Sequence, residues 1–276
     1  MEDVIRKIFD KDEIEDIKKL GNSYSSNVYL ITFKKNKYIF KILKLEEKRI
    51  VEKDTLKYLK NSIKVPKLIK TGVYSDIYYN IMEFVEGKSY LDNESKNITD
   101  DEILKMGSIL SKFHTLKPMN NIDMWCKYLE DRIESAYKKL SSLENNEKIY
   151  INLLKELNND IKNNYELAML HMDFRPGNII INDDMYLIDF ESVKNGDPVF
   201  DFIKIKRLLS KKQFDKFLEG YKLNKELPDN FNNKVDFYNI FDAYTALDWC
   251  ISNNQENSDY YNLNMKEIKK YEKRKF

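Results

Sequence analysis

The stretch from His171 to Glu191 constrains this chain more than any other. Within it, Ile179-Ile180-Ile181 and Met185-Tyr186-Leu187-Ile188 are short apolar runs separated by Asn182-Asp183-Asp184, a turn chemistry that predicts a hairpin. Asn178 would enter that hairpin and Asp189 leave it at the same end, so their side chains would lie about one strand spacing, roughly 5 Å, apart. An amide oxygen and a carboxylate so placed can share one hard cation, and Mg²⁺ favours such oxygen ligands together with phosphate oxygens and water. Asp173 precedes Asn178 by five residues, on a loop whose Pro176-Gly177 turn reverses the chain toward the same end. A carboxylate there can orient a substrate hydroxyl and accept its proton during in-line attack on the terminal phosphate of a nucleotide.

The rest of the chain predicts two lobes. Val28 to Phe33 and Tyr38 to Leu43 are rich in β-branched and aromatic residues around a polar turn and read as a hairpin. The charged stretch from Glu46 to Leu59 reads as a helix that ends before Val65-Pro66, and strands near Lys67 to Val73 and Tyr78 to Phe84 complete a small sheet. Beyond Gly87 the pattern is mainly helical, over Asp100 to Leu116, Trp125 to Leu143, Lys148 to Asn159, Lys204 to Leu223 and Val235 to Ile251. A β-rich lobe over residues 1–86 therefore precedes a larger helical lobe over residues 87–276, with the crossing at Met82 to Gly87 and a cleft expected between them. Nothing resembles a repeat, a Pro-rich linker or a low-complexity tract.

The pattern His171-x-Asp173-x-x-x-x-Asn178 followed by Asp189 at a strand end resembles the catalytic loop and metal-binding acid of the protein-kinase-like superfamily. With Pro176-Gly177 before the Asn and the later Gly196-Asp197-Pro198-Val199-Phe200-Asp201, the chain is similar to the aminoglycoside phosphotransferase and choline kinase branch over most of its length. The resemblance implies an α+β, protein-kinase-like two-lobe fold. It makes Asp173 the catalytic Asp, Asn178 and Asp189 the Mg²⁺ ligands, and Asp201 a structural acid bracing the loop, with His171 a hydrogen-bonded support. On the nucleotide side it implies Lys41 for the phosphates, Glu52 as its ionic partner, and the backbone of Glu83 and Val85 for the purine edge, of ATP or GTP alike. Ser25 and Ser26, in a loop with one glycine where protein kinases have three, could hold phosphate oxygens or form an ordinary β-turn. Glu191 stands where a protein kinase has the glycine of Asp-Phe-Gly, and no Ala-Pro-Glu follows, which favours a small-molecule acceptor over a polypeptide.

For the acceptor, residues 225–261 hold seven acids against two lysines, a balance that would attract an amine-rich molecule. On the helix predicted from Val235 to Ile251, Tyr238, Asp242, Thr245 and Trp249 share a face that suits a cationic sugar or a quaternary amine, or else a solvated face with Trp249 partly in the core. Tyr238, Asp242, Trp249 and Glu191 are therefore the candidate substrate contacts. The expected reaction is transfer of the γ-phosphoryl group to a hydroxyl of an aminoglycoside, with choline or another amino alcohol as the alternative acceptor. A catalytically dead scaffold would lack one of Lys41, Asp173, Asn178 or Asp189, and all four are present.

Net charge is only +1, which disfavours a bulk electrostatic role on nucleic acid or membrane, and no obligate protein partner is expected. The basic end, Lys266 to Lys275, reads as a frayed, solvated helix. Cys126 and Cys250 with His114 and His171 make no zinc framework. The charged start and the lack of an apolar run of roughly 20 residues predict a cytoplasmic protein.

Overall fold

In the computed structural model, residues 2–9, 13–22, 26–120 and 122–276 are described. The small lobe is a five-stranded antiparallel sheet in the order β1-β2-β3-β5-β4, from β1 (Ile14–Asn22), β2 (Ser26–Phe33), β3 (Asn36–Leu43), β4 (Leu68–Tyr74) and β5 (Ile77–Glu83). β2 and β3 turn through Lys34 and Lys35, both at positive φ, as a two-residue hairpin turn demands. Strand alternation then decides which way Lys41 points. Phe40 and Ile42 pack with Tyr29, Ile31, Tyr79, Ile81 and Ile5 of the helix α1 (Glu2–Ile8) on one face, which leaves Ile39 and Lys41 on the other, toward the cleft. α1 and β1 had no counterpart in the sequence reading.

The helix α2 (Glu46–Leu59) has the expected bounds and turns Glu52, Thr55, Leu56 and Leu59 inward. The chain then crosses to the large lobe, where Lys88 and Ile181 exchange backbone hydrogen bonds of 2.9 and 2.7 Å. Gly87 allows that approach: a Cβ on it would lie 2.6 Å from the carbonyl oxygen of Ile181.

The large lobe holds α3 (Asp100–Thr115), α4 (Trp125–Lys139), α5 (Asn146–Glu156), α6 (Phe202–Leu208), α7 (Lys211–Lys222), α8 (Phe231–Ser252) and α9 (Asp259–Lys275). α3 and α7 cross closely because both offer a glycine: a Cβ on Gly107 would meet the Phe217 oxygen at 2.1 Å, and one on Gly220 the Leu104 oxygen at 1.9 Å. The single helix expected over Lys204 to Leu223 is two helices, because Ser210 caps α7 in a reciprocal box with Gln213. The terminal helix is not frayed. α9 packs on α8 and buries Asn264, Ile268 and Tyr271.

Between α5 and α6 lie two small antiparallel pairs: β6 (Ala168–Leu170) with β9 (Lys194–Gly196), and β7 (Ile179–Ile181) with β8 (Met185–Leu187) in the register Ile179 to Leu187. The second pair is the hairpin expected between Asn178 and Asp189, and the Ile188 N–H closes its open end on the Asn178 carbonyl at 3.0 Å. No helix among the described residues is long and apolar enough to cross a membrane.

Candidate active site

A largely apolar cavity of about 300 Å³ lies between the lobes, walled by Val28, Ile39, Met82, Val85, Ile180 and Ile188 among others. Lys41, Glu52, Ser26, Glu83, Asn178 and Asp189 reach the same cavity, so the chain brings these sequence-predicted residues together. Ser25 lies outside the described residues. Lys41 is buried, and its Nζ meets Glu52 at 2.8 Å, Asp189 at 2.5 Å and Glu191 at 2.9 Å. Burial opposes its charge, but the three carboxylates outweigh that and hold the ammonium well above the usual lysine range. Glu52 also accepts from Asn80 Nδ2 at 2.9 Å, so two partners fix the carboxylate that fixes Lys41.

The loop before the hairpin is built around Asp201. Its buried carboxylate accepts from the backbone N–H of His171 at 2.6 Å and of Met172 at 2.8 Å, and it meets His114 Nε2 at 3.1 Å. Those bonds hold Met172 at φ 69°, a left-handed conformation costly for an unbranched side chain, and that turn presents Asp173. His171 braces the loop: its Nδ1 accepts from the Asp173 N–H at 3.3 Å, which leaves Nε2 to donate to the Ile188 carbonyl at 2.9 Å. Asp189 also has a positive φ, 70°, where the chain turns out of β8.

Asp173 is surrounded by donors. Lys204 Nζ lies 2.7 Å from Oδ1, and Arg175 Nε and Asn178 Nδ2 lie 3.3 and 2.9 Å from Oδ2. Burial alone would raise this carboxyl, but the Lys204 and Arg175 cations override it and hold its pKa at about 2. It is an anion throughout the physiological range. Asn178 spends its amide N–H on Asp173, leaving its carbonyl oxygen as the atom able to ligate a cation beside Asp189. Lys204 and Arg175 were passed over in the sequence. Arg175 stands two residues after Asp173 and Lys204 one turn after Asp201, signals visible only once both acids were placed.

Asp173 opens onto a second cavity of about 730 Å³, shared with Lys44, Lys48, Lys204, Trp249 and Tyr260. Of the four candidate substrate contacts, Trp249 lines it and the others do not. Tyr238 is fully buried, accepting from Trp125 Nε1 at 2.9 Å and donating to Asp197 at 3.2 Å, because α8 is covered on nearly every side. Glu191 is buried behind Lys41 and bridges it to Lys48 at 2.9 Å, which takes it away from an acceptor. Asp242 borders a third, smaller cavity of about 310 Å³ that shares Asp173, Lys204 and Tyr260 with the second, and there Arg207 Nη1 pairs with it at 2.6 Å.

Residues 16–230 match a family model described as the phosphotransferase enzyme family. A search of curated proteins returned no match. Among solved structures, a GDP complex of an aminoglycoside 2′-phosphotransferase-IIIa mutant has a TM-score of 0.78 at 16% identity, over 98% of this chain and 96% of that one. A choline kinase from Streptococcus pneumoniae gives 0.75 at 21% identity over 98% and 99% of the two chains. A Plasmodium vivax ethanolamine kinase gives 0.71 at 14% identity over 96% and 84%. The likeness at these identities is one of fold: an antiparallel-sheet lobe on a helical lobe.

Proposed function

This chain belongs to the phosphotransferase enzyme family, and we propose that it transfers the γ-phosphoryl group of ATP or GTP to a hydroxyl of a small molecule held beside Asp173. The observation that carries the reading is the continuity of polar groups across the cleft. Lys41 and Asp189 meet in the nucleotide cavity, Asn178 links that cavity to Asp173, and Asp173 faces the next one. Residues 1–86 would then be the nucleotide-binding lobe and residues 87–276 the catalytic and acceptor-binding lobe.

Each group has a task its surroundings suit. The apolar cavity takes the base, with the Glu83 carbonyl and Val85 N–H for its edge, and Lys41, steadied by Glu52, offers its ammonium to the phosphates. The Asn178 carbonyl oxygen and the Asp189 carboxylate form a hard-oxygen pair suited to Mg²⁺. Among the described residues no three His, Cys, Asp or Glu side chains form a metal cluster by themselves, so nucleotide phosphates and water would complete the shell. Bound there, Mg²⁺ would neutralise charge on the β- and γ-phosphates. Asp173, ionised at neutral pH, accepts a hydrogen bond from the acceptor hydroxyl and aims its oxygen at the γ-phosphorus. As the new O–P bond forms and the bond to the β–γ bridging oxygen breaks, the hydroxyl proton passes to Asp173 and on to solvent. A carboxylate held near pKa 2 is a weak base; its contribution is chiefly alignment, which suits a loose transition state.

An aminoglycoside, with choline or another amino alcohol as the alternative, follows from the family resemblance, to which the acids between 225 and 261 add an expected attraction for amines, and the structural neighbours include kinases named for aminoglycosides, choline and ethanolamine. Of those acids only Asp242 borders either cavity that Asp173 reaches, and it is paired with Arg207. Asp248 is buried against Lys139, and Asp236 pairs with Arg274. The charge argument for an amine-rich acceptor thus loses its local basis, and the reading rests on phosphoryl transfer to a small alcohol. Asp173→Ala, which removes both the alignment and the proton acceptor, tests it: consumption of γ-labelled ATP and GTP should fall by roughly 10²- to 10⁴-fold, about 3 to 5 kcal/mol, with nucleotide affinity kept. Undiminished turnover in that variant would assign the chemistry elsewhere.

A further inference from the structure

We infer, resting on the phosphotransfer reading above, that the acceptor is a neutral or acidic polyol of the sugar class and not an amine-rich molecule. The walls around Asp173 carry the argument. Its two cavities share Asp173, Lys204 and Tyr260, and together they are lined by five basic side chains, Lys44, Lys48, Arg175, Lys204 and Arg207, against three acids, Asp92, Asp173 and Asp242. Each acid already has a cation. Asp92 takes Arg175 Nη1 on both oxygens at 3.0 and 3.2 Å, Asp173 takes Lys204 at 2.7 Å and Arg175 at 3.3 Å, and Asp242 takes Arg207 at 2.6 Å. Lys48 has its own partner, Glu191, which is buried outside these walls. An acceptor with several ammonium groups would have to break these pairs or sit at contact distance from lysines, and one like-charge contact at the dielectric of a protein surface costs more than about tenfold in affinity.

The apolar part of the wall points to a sugar. Trp249 and Tyr260 meet edge to face with ring centroids 6.1 Å apart, and both line the larger cavity with Leu45. Aromatic rings offer flat surfaces for the C–H face of a pyranose, while Gln255 and the lysine ammonium groups supply hydrogen bonds for hydroxyls. A cavity of about 730 Å³ leaves room for one or two rings beside Asp173. Lys44 and Lys48, which line the larger cavity with Asp173, would also meet a carboxylate on the acceptor while Asp173 takes the hydroxyl.

A matched series isolates charge on one scaffold. Glucosamine, glucose and glucuronate, with kanamycin as the polycation, are added to wild-type protein with Mg²⁺ and γ-labelled ATP or GTP, and nucleotide consumption is read as stimulation by transfer or inhibition by occupancy. Glucose and glucuronate should act at concentrations at least about tenfold below glucosamine, with kanamycin weakest, and Lys44→Glu should narrow the gap between glucuronate and glucosamine by about tenfold. A lower effective concentration for glucosamine or kanamycin, or no effect from any of the four, overturns the inference while leaving phosphoryl transfer standing. Protein that neither binds nor hydrolyses Mg²⁺-nucleotide removes the underlying reading and this inference together.

Discussion

Replacing Asp201 by Asn keeps the shape of the residue and removes its ability to accept on both oxygens. In the native loop those oxygens take two backbone N–H groups, at 2.6 and 2.8 Å, and the His114 ring at 3.1 Å, all out of contact with water. An amide can serve one of the backbone donors and turns its own N–H₂ toward the other. One buried N–H is then orphaned, at about 1–3 kcal/mol, and the surviving bonds lose their charge assistance, at about 1 kcal/mol more. Stability should fall by about 3 kcal/mol, read as a lower urea midpoint. The loop that holds Met172 at φ 69° then has reason to relax toward ordinary backbone, which carries Asp173 with it. A displacement of about 1 Å is enough for roughly a 10²-fold loss of turnover. Nucleotide affinity should stay within about twofold, since the apolar cavity and Lys41 are untouched by the change. The assay pairs steady-state hydrolysis of ATP and GTP with nucleotide titration of the same preparation. Wild-type stability with wild-type turnover would refute the bracing role, and a loss confined to nucleotide affinity would mean that Asp201 acts on the other lobe.

Three further substitutions probe separate parts of the account. Lys204→Met removes the main cation holding Asp173 near pKa 2; because a depressed carboxyl contributes stability above its ordinary pKa and loses it as pH falls through the folded one, the variant should be about 1–2 kcal/mol less stable at pH 7 and equal to wild type near pH 2 in urea unfolding. Tyr238→Phe deletes a hydroxyl bonded to Trp125 and Asp197 in the core and should cost about 1–2 kcal/mol with unchanged turnover, whereas a raised KM for an acceptor would return Tyr238 to the substrate site. Gly220→Ala places a methyl 1.9 Å from the Leu104 oxygen and should lower stability by about 1–3 kcal/mol or more in thermal melts, unlike an ordinary helical Gly→Ala, which stabilises.

The hairpin that carries Asn178 and Asp189 was legible because its information is local: two apolar triplets, a polar turn, and a residue at each open end. Lys41 was equally legible, since strand alternation between Phe40 and Ile42 leaves it only one face. β1 was not. Ile14–Asn22 reads Ile-Glu-Asp-Ile-Lys-Lys-Leu-Gly-Asn, with no run of β-branched or aromatic residues, and it is a strand because β2 offers it an edge. The break between α6 and α7 was written in Ser210 and Gln213, but apolar periodicity continues across it and masks the cap. α8 misled for a tertiary reason. Its second face mixes Tyr238, Asp242 and Trp249 as a binding face would, yet Tyr238 is buried in the core and Asp242 is neutralised by Arg207 from another helix, which leaves only Trp249 on the larger cavity beside Asp173. A charge count along a segment records carboxylates without their partners, so the acids of residues 225–261 suggested an attractive field where the fold had already paired Asp236, Asp242 and Asp248.

The proposed phosphoryl transfer requires one γ-phosphate to lie between the Lys41 side of the cleft and Asp173. A crystal structure with Mg²⁺ and a non-hydrolysable ATP or GTP analogue tests it most directly. Asn178 Oδ1 and an Asp189 carboxylate oxygen should each lie about 2.1 Å from the metal, with Lys41 on the phosphates and Asp173 facing the γ-phosphorus. Phosphates bound away from these four side chains, or a metal ligated by neither Asn178 nor Asp189, would contradict the account.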